Sequence, residues 1–249
     1  MDKSKLKYLI LFDIDGTILN FKSGLAKEIF SQMLEELFET EIPEEAVPKF
    51  AGMTDLSILR AINDYMGRDF KAIESNLPQI WNNMLDLFEE HTTEENIEIL
   101  PGVRELVEKM HEDETIQLGL ITGNISQNAY LKLKAHGLDK YFPFGGFGSD
   151  LEDRNMLPAL AISRANTLVG KDVFNKHNTA IIGDTWRDIQ CANKNDIISC
   201  GVATGMFSKD QLKVYEPDLL FDDLSETDNI YKSIINLIKE RYAEYQNSY

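Results

Sequence analysis

Positive charge is scarce in this sequence: 25 Lys and Arg face 42 Asp and Glu, a formal net charge of −17. So acidic a surface repels nucleic acid and anionic lipid, and neither a nucleic-acid nor a membrane partner is expected. It also repels phosphorylated molecules at long range, so an anion site here requires local cations or a metal. Cysteine is nearly absent. Cys191 and Cys200 form no CxxC pair and read as buried thiols in a reducing compartment. His91, His111, His136 and His177 are scattered, which leaves no cluster of the kind zinc needs. No apolar run approaches the roughly 18–20 residues of a membrane span. Lys3, Lys5 and Lys7 ahead of Tyr8 to Phe12 look like the start of a signal peptide, but Asp13 and Asp15 close the apolar run well before the about 7–15 residues such a segment needs. A first buried strand is the better reading, and a cytosolic location is expected.

What is present is an alternation of short apolar runs and amphipathic stretches. The 249 residues suit one large domain or a core with one insertion. Tyr8–Phe12 is continuously apolar, as in a strand covered on both faces. Ile116–Ile121, Phe144–Phe147, Thr179–Ile182 and Ile197–Ala203 are further strand candidates. Between them lie helical patterns: Gly102–Glu112 after Pro101, Gln127–His136 before Gly137, Leu157–Val169 before Gly170, and a stretch after Trp186. This alternation predicts an α/β fold, a Rossmann-like, mostly parallel sheet flanked by helices. From about Phe21 to Ile97 the pattern is helical without a convincing strand, with Leu25, Ile29, Met33, Leu34 and Leu37 on one stripe. It reads as an all-helical insertion placed after the first strand. The expected division is a core of residues 1–19 and 98–249 and an inserted domain of residues 20–97. Asn229–Tyr245 is predicted to be a helix packed on the sheet edge.

Chemistry-bearing residues gather where apolar runs end. Asp13-Ile14-Asp15-Gly16-Thr17 follows the first, and ligands of open α/β sheets bind beyond the carboxyl ends of strands. Asp184 and Asp188 follow the run ending at Ile182 and fall one helical turn apart. Two acidic pairs at two strand ends make an oxygen-rich site suited to Mg²⁺. Thr122-Gly123-Asn124 sets a hydroxyl and a glycine-turned amide ahead of a helix, which fits phosphate. Arg154 is a cation available to offset phosphate charge, and Arg164 is the runner-up. Plainer readings exist for each: solvated loop acids, a helix cap at Thr122–Asn124, a surface ion pair at Arg154. A calcium loop is excluded, because taking Gly16 as its glycine puts Leu11 and Lys22 where acids are required.

The chain resembles the haloacid dehalogenase-like hydrolases, in particular the phosphoglycolate phosphatase-like branch. The resemblance covers essentially the whole length. It rests on the DxDGT motif at Asp13–Thr17, a Thr after a strand at Thr122, the GDTxxD motif at Gly183–Asp188, and an insertion where that family carries its helical cap. The family's third motif, commonly a Lys before Pro-x-Pro, is absent; Arg154-Asn155-Met156-Leu157-Pro158 stands there instead. The resemblance implies a Mg²⁺-dependent phosphatase for a small phosphorylated metabolite, acting as monomer or homodimer. Asp13 would be the nucleophile that becomes an aspartyl-phosphate, and Asp15 the general acid and base. Thr122, Gly123, Asn124 and Arg154 would bind phosphate. Asp13, the Asp15 backbone carbonyl and Asp184 would hold Mg²⁺, with Asp188 in or beside that shell. Asp15 argues against a dehalogenase, which needs no leaving-group acid. A sugar phosphomutase shares the core and stays open. Phosphonate hydrolysis would need an amine in the cap, for which Lys22 and Lys27 are candidates. Gly52-Met53-Thr54-Asp55 are candidate substrate contacts, with the alternative that Gly52 ends one helix and Thr54 caps the next.

Overall fold

Five consecutive buried residues form the first strand, β1 (Tyr8–Phe12), and their alternation divides the molecule into layers. Tyr8, Ile10 and Phe12 enter one apolar cluster, whereas Leu9 and Leu11 enter another on the opposite face. The computed structural model describes residues 5, 7–22 and 25–247, except the side chains of residues 26, 27 and 44. Lys3 and the Lys27 side chain therefore lie outside the described residues.

In chain order, β1 is followed by β2 (Leu19–Phe21), α1 (Leu25–Phe38), α2 (Asp55–Tyr65), α3 (Lys71–Glu74), α4 (Leu77–His91) and β3 (Ile97–Ile99). Then come α5 (Val103–Glu112), β4 (Ile116–Ile121), α6 (Ser126–Lys134), β5 (Gly145–Gly146), α7 (Leu157–Val169) and β6 (Thr179–Gly183). The chain closes with α8 (Trp186–Lys194), β7 (Ile198–Val202), α9 (Lys209–Lys213), β8 (Leu219–Phe221) and α10 (Thr227–Asn247). Six strands form one sheet in the order β5-β4-β1-β6-β7-β8, and every pairing in it is parallel. Side chains of α5, α6 and α10 cover one face and those of α7 and α8 the other. The α/β architecture with a helical insertion after the first strand is as the sequence implies.

Three expectations need correction. Strands do occur at both ends of the helical segment: β2 and β3 pair antiparallel, Leu19 opposite Ile99 and Phe21 opposite Ile97. Each is three residues long, too short for its alternation to register in sequence. The C-terminal helix α10 lies on a sheet face rather than an edge, burying Ile230, Ile234 and Ile238 in the same cluster as Ile182 and Val202. Gly52 ends no helix, because α1 stops at Phe38; its positive φ of 69° belongs to the loop before α2. Thr54 does cap α2, its Oγ1 accepting from Ser57 N at 3.1 Å. Helices α1, α2 and α4 bury Ile29, Met33, Leu34, Leu59, Ile62 and Met84 in a third apolar cluster.

Candidate active site

The parallel order puts the ends of β4, β1 and β6 side by side, and with them Thr122, Asp13 and Asp184. The Asp13 backbone N donates to Ile182 O at 2.9 Å, so the chain is still in sheet register where the acid projects. The turn that follows is tight: Ile18 N and Leu19 N both donate to Ile14 O. Gly16 takes φ 85°, and a Cβ there would lie 2.4 Å from Asp184 Oδ2. Thr17, fully buried, donates to Asp184 Oδ1 at 3.2 Å. From the far side Gly205 approaches the same carboxylate, where a Cβ would sit 1.7 Å from Oδ2. Two glycines thus keep the space around Asp184 free of side chains.

Asp13, Asp184 and Asp188 are all buried, with one carboxylate oxygen from each lying within 4.8 Å of the others. Asp188 is no surface acid. It completes a capping box at the start of α8, accepting from Thr185 N at 3.0 Å and Thr185 Oγ1 at 2.6 Å. Arg154, in a 3₁₀ turn before α7, inserts its guanidinium among them. Its Nη2 donates to Asp13 Oδ1 at 2.9 Å and to Asp188 Oδ1 at 2.5 Å. Burial pushes the Asp13 carboxyl up to about 7, with Asp188 adding to the rise and Arg154 opposing it. Burial likewise raises Asp184 well above the carboxylate range, reinforced by Asp13 and Asp188. For Arg154 burial acts downward, but Asp188 and Asp13 together outweigh it and the net shift is upward. Three acids around one guanidinium make an oxygen-lined site. Such a donor set, with two glycines leaving room beside it, fits a hard divalent cation.

Arg164 is not brought to this cluster; it pairs with Asp150 and donates to Gly145 O. Thr122 ends β4 and is 1% exposed, its Oγ1 accepting from Asn124 N and Nδ2. Asn124 departs from a plain phosphate cradle. Its side chain links Thr122 to Asp15, donating to Asp15 Oδ2 at 2.6 Å. Lys22 is exposed and does not line the cavity above these residues.

Three residues that line this cavity were not singled out for the core site by sequence: Lys132, Asn128 and Asp55. Lys132 is 3% exposed and donates to both oxygens of Asp15, at 2.8 and 2.9 Å, and to Asn124 Oδ1 at 2.6 Å. The signal for it was helical phase: Lys132 follows Asn128 by four residues and shares the inward side of α6 with Ala129 and Leu133. Asp55 accepts from Ile125 N at 2.8 Å, bringing the start of α2 to the start of α6. Burial pushes its carboxyl up to about 7, against the pull of the Ile125 N–H and of Lys132.

The loop before α2 rests on the core through backbone. Asp55 N donates to Gly123 O at 2.8 Å, and a Cβ on Gly123 would come 1.8 Å from Met53 O. Arg187 Nη1 donates to Ala51 O at 2.8 Å, and Thr54 Oγ1 to Glu152 O at 2.7 Å.

Acids at adjacent parallel-strand ends, paired with one buried guanidinium beneath a helical roof, are the arrangement expected of a phosphatase-like hydrolase. The profile of the haloacid dehalogenase-like hydrolases matches residues 10–202, and the chain belongs to that family. A protein named pyrophosphatase PpaX from Listeria innocua is 24% identical over 219 residues, covering 87% of this chain and 93% of that protein. A phosphoglycolate phosphatase from Vibrio parahaemolyticus is 26% identical over 219 residues, covering 88% and 93% respectively. The solved structure of β-phosphoglucomutase from Clostridium difficile is similar with a TM-score of 0.67 at 20% identity, over 96% of this chain and 98% of that one. At that identity the likeness shows the fold alone. Among the described residues, no helix is long and apolar enough to cross a membrane.

Proposed function

We propose that this chain is a Mg²⁺-dependent phosphatase that hydrolyses a small phosphorylated metabolite through an aspartyl-phosphate on Asp13. The observation that carries the reading is the pair Asp13 and Asp15: one acid is buried against Arg154, and the other, two residues on, is held at the cavity by Lys132 and Asn124. Asp13 attacks phosphorus, and the bond to the leaving oxygen breaks as Asp15 supplies a proton. Asp15 then takes a proton from the water that attacks the phosphoryl group, which frees phosphate and restores the Asp13 carboxylate. Arg154 and the amides of Gly123 and Asn124, with the Thr122 hydroxyl, bind the phosphoryl oxygens. Arg154 thereby fills the place of the lysine usual in the family.

Asp13, Asp184 and the Asp15 backbone carbonyl would hold Mg²⁺. The oxygens of Asp188 are engaged by Arg154 and Thr185, which supports a role beside the metal ligands, fixing Arg154. When bound, Mg²⁺ offsets the charge of both the carboxylates and the phosphoryl group. We further propose that residues 20–97 act as a cap, and that the β2–β3 ladder is its hinge, since the expected boundaries fall inside that ladder. The test is phosphate release from a panel of phosphorylated metabolites with Mg²⁺. Activity should vanish in Asp13→Asn. A folded variant that retains wild-type turnover would show that Asp13 is not the nucleophile.

A further inference from the structure

The strand-end residues Asp13, Asp15, Thr122 and Asp184 form the floor of one continuous cavity of about 300 Å³. That is at the lower end of the roughly 300–1,000 Å³ of small-molecule sites. The opposite wall comes from the inserted helices and their loops: Phe21, Phe30, Phe50, Met53, Met84 and Phe88. Phe21 and Phe88 meet edge to face at 5.8 Å, and Phe30 and Phe50 are 4.9 Å apart.

Charge on this cavity is one-sided. Asp13, Asp15, Asp55 and Asp184 line it, and among its described lining residues the one cation is Lys132. An ammonium has three donors, and those of Lys132 go to Asp15 Oδ1, Asp15 Oδ2 and Asn124 Oδ1. The same ammonium lies 5.5 Å from the Phe21 ring centre and 5.4 Å from that of Phe88. Arg154 sits between Asp13 and Asp188, outside the cavity lining, and in the reading above it serves the transferred phosphoryl group, not the leaving group. A leaving group that carried a carboxylate or a second phosphate would therefore be stripped of water against aromatic rings, with no free cation among the described lining residues to meet it.

From this lining we infer that the substrate is a phosphomonoester of a small, uncharged and largely apolar alcohol, rather than pyrophosphate or the phosphate of a hydroxy acid. The inference rests on the phosphatase reading above and narrows it. Burial of the apolar group against the wall supplies the binding energy that orients the ester over Asp13.

The test compares kcat/KM for benzyl phosphate, 3-methylbutyl phosphate, 2-phosphoglycolate and pyrophosphate, by phosphate release at saturating Mg²⁺. Benzyl and 3-methylbutyl phosphate should exceed 2-phosphoglycolate and pyrophosphate at least tenfold. Phe50→Arg, which places a cation on the wall from a loop position, should shift the benzyl-to-phosphoglycolate ratio at least tenfold toward phosphoglycolate. If wild-type enzyme hydrolyses pyrophosphate or 2-phosphoglycolate as well as the apolar esters, the substrate class is wrong and the phosphatase reading stands. If folded, Mg²⁺-supplied enzyme releases phosphate from none of these or from the wider panel, both readings fall.

Discussion

At Arg154 a single side chain decides how many negative charges the buried centre must tolerate. Removing it leaves Asp13 and Asp188 without their shared partner, and breaking a buried pair of this kind costs about 3–5 kcal/mol. Arg154→Met is expected to lower stability by that order in denaturant melts without metal, with part of the loss recovered on adding Mg²⁺. Arg154→Lys should keep more stability and part of the activity, because both carboxylates are met by one nitrogen, Nη2, which a single ammonium can replace. Lys132 presents the contrasting case. Its partner Asp15 is 41% exposed in its side chain, so Lys132→Met should change stability little. Turnover should fall about 10²-fold, since a displaced proton-transfer group costs about that much. A loss in kcat with KM nearly unchanged is the expected signature; a change confined to KM would instead place Lys132 in substrate binding. Legibility in the sequence divides along the same line. Asp13, Asp15, Asp184 and Asp188 could be found because each follows an apolar run, and Arg154 because a cation was required nearby. Lys132 acts from mid-helix and reaches Asp15 across 117 residues of sequence; helical phase marks it as inward-facing but does not say which acid it meets.

Among the elements, α2 and α6 meet end to end through Asp55 and Ile125. A carboxylate at a helix N-terminus is ordinarily favoured in its ionised form, yet burial dominates here and the carboxyl rises to about 7. The sign for stability follows. Between the ordinary carboxylate value near 3.8 and about 7, the unfolded chain has lost this proton while the folded chain keeps it. The folded state binds more protons there, so Asp55 makes stability fall as pH rises across that window. Asp55→Asn retains an acceptor for the Ile125 N–H and removes the titration. The difference in stability between variant and wild type, measured from pH 4 to 8, should move in the variant's favour as pH rises; a flat difference would refute the assignment. Five of the six strands of the main sheet, all but β8, were legible to within a residue or two because they are buried on both faces, so apolar runs mark them. The β2–β3 ladder and β8 were not, because three-residue strands carry too little pattern. The position of α10 on a sheet face also escaped, since an amphipathic helix declares that it has an inner side but not which layer that side meets.

For the molecule as a whole, the net charge of −17 opposes the approach of a phosphate ester to a site that must attract it locally. Salt shortens the reach of that repulsion, from about 30 Å at 0.01 M to about 8 Å at 0.15 M, while contacts inside the cavity are screened far less. At saturating Mg²⁺, kcat/KM is expected to rise severalfold across that range of ionic strength. A fall would mean that the local cations, not the global charge, govern encounter. The seam between the inserted helices and the core bears on how such a protein can change. Gly123 leaves no room for a side chain against Met53 O, and the contacts at Ala51 and Asp55 are made by backbone atoms of the loop. The roof is therefore gauged by main chain, while Phe50, Met84 and Phe88 merely upholster its underside. Seat and upholstery are separable parts, so the inner surface can be re-covered to suit a different alcohol while the distance from roof to Asp13 is preserved.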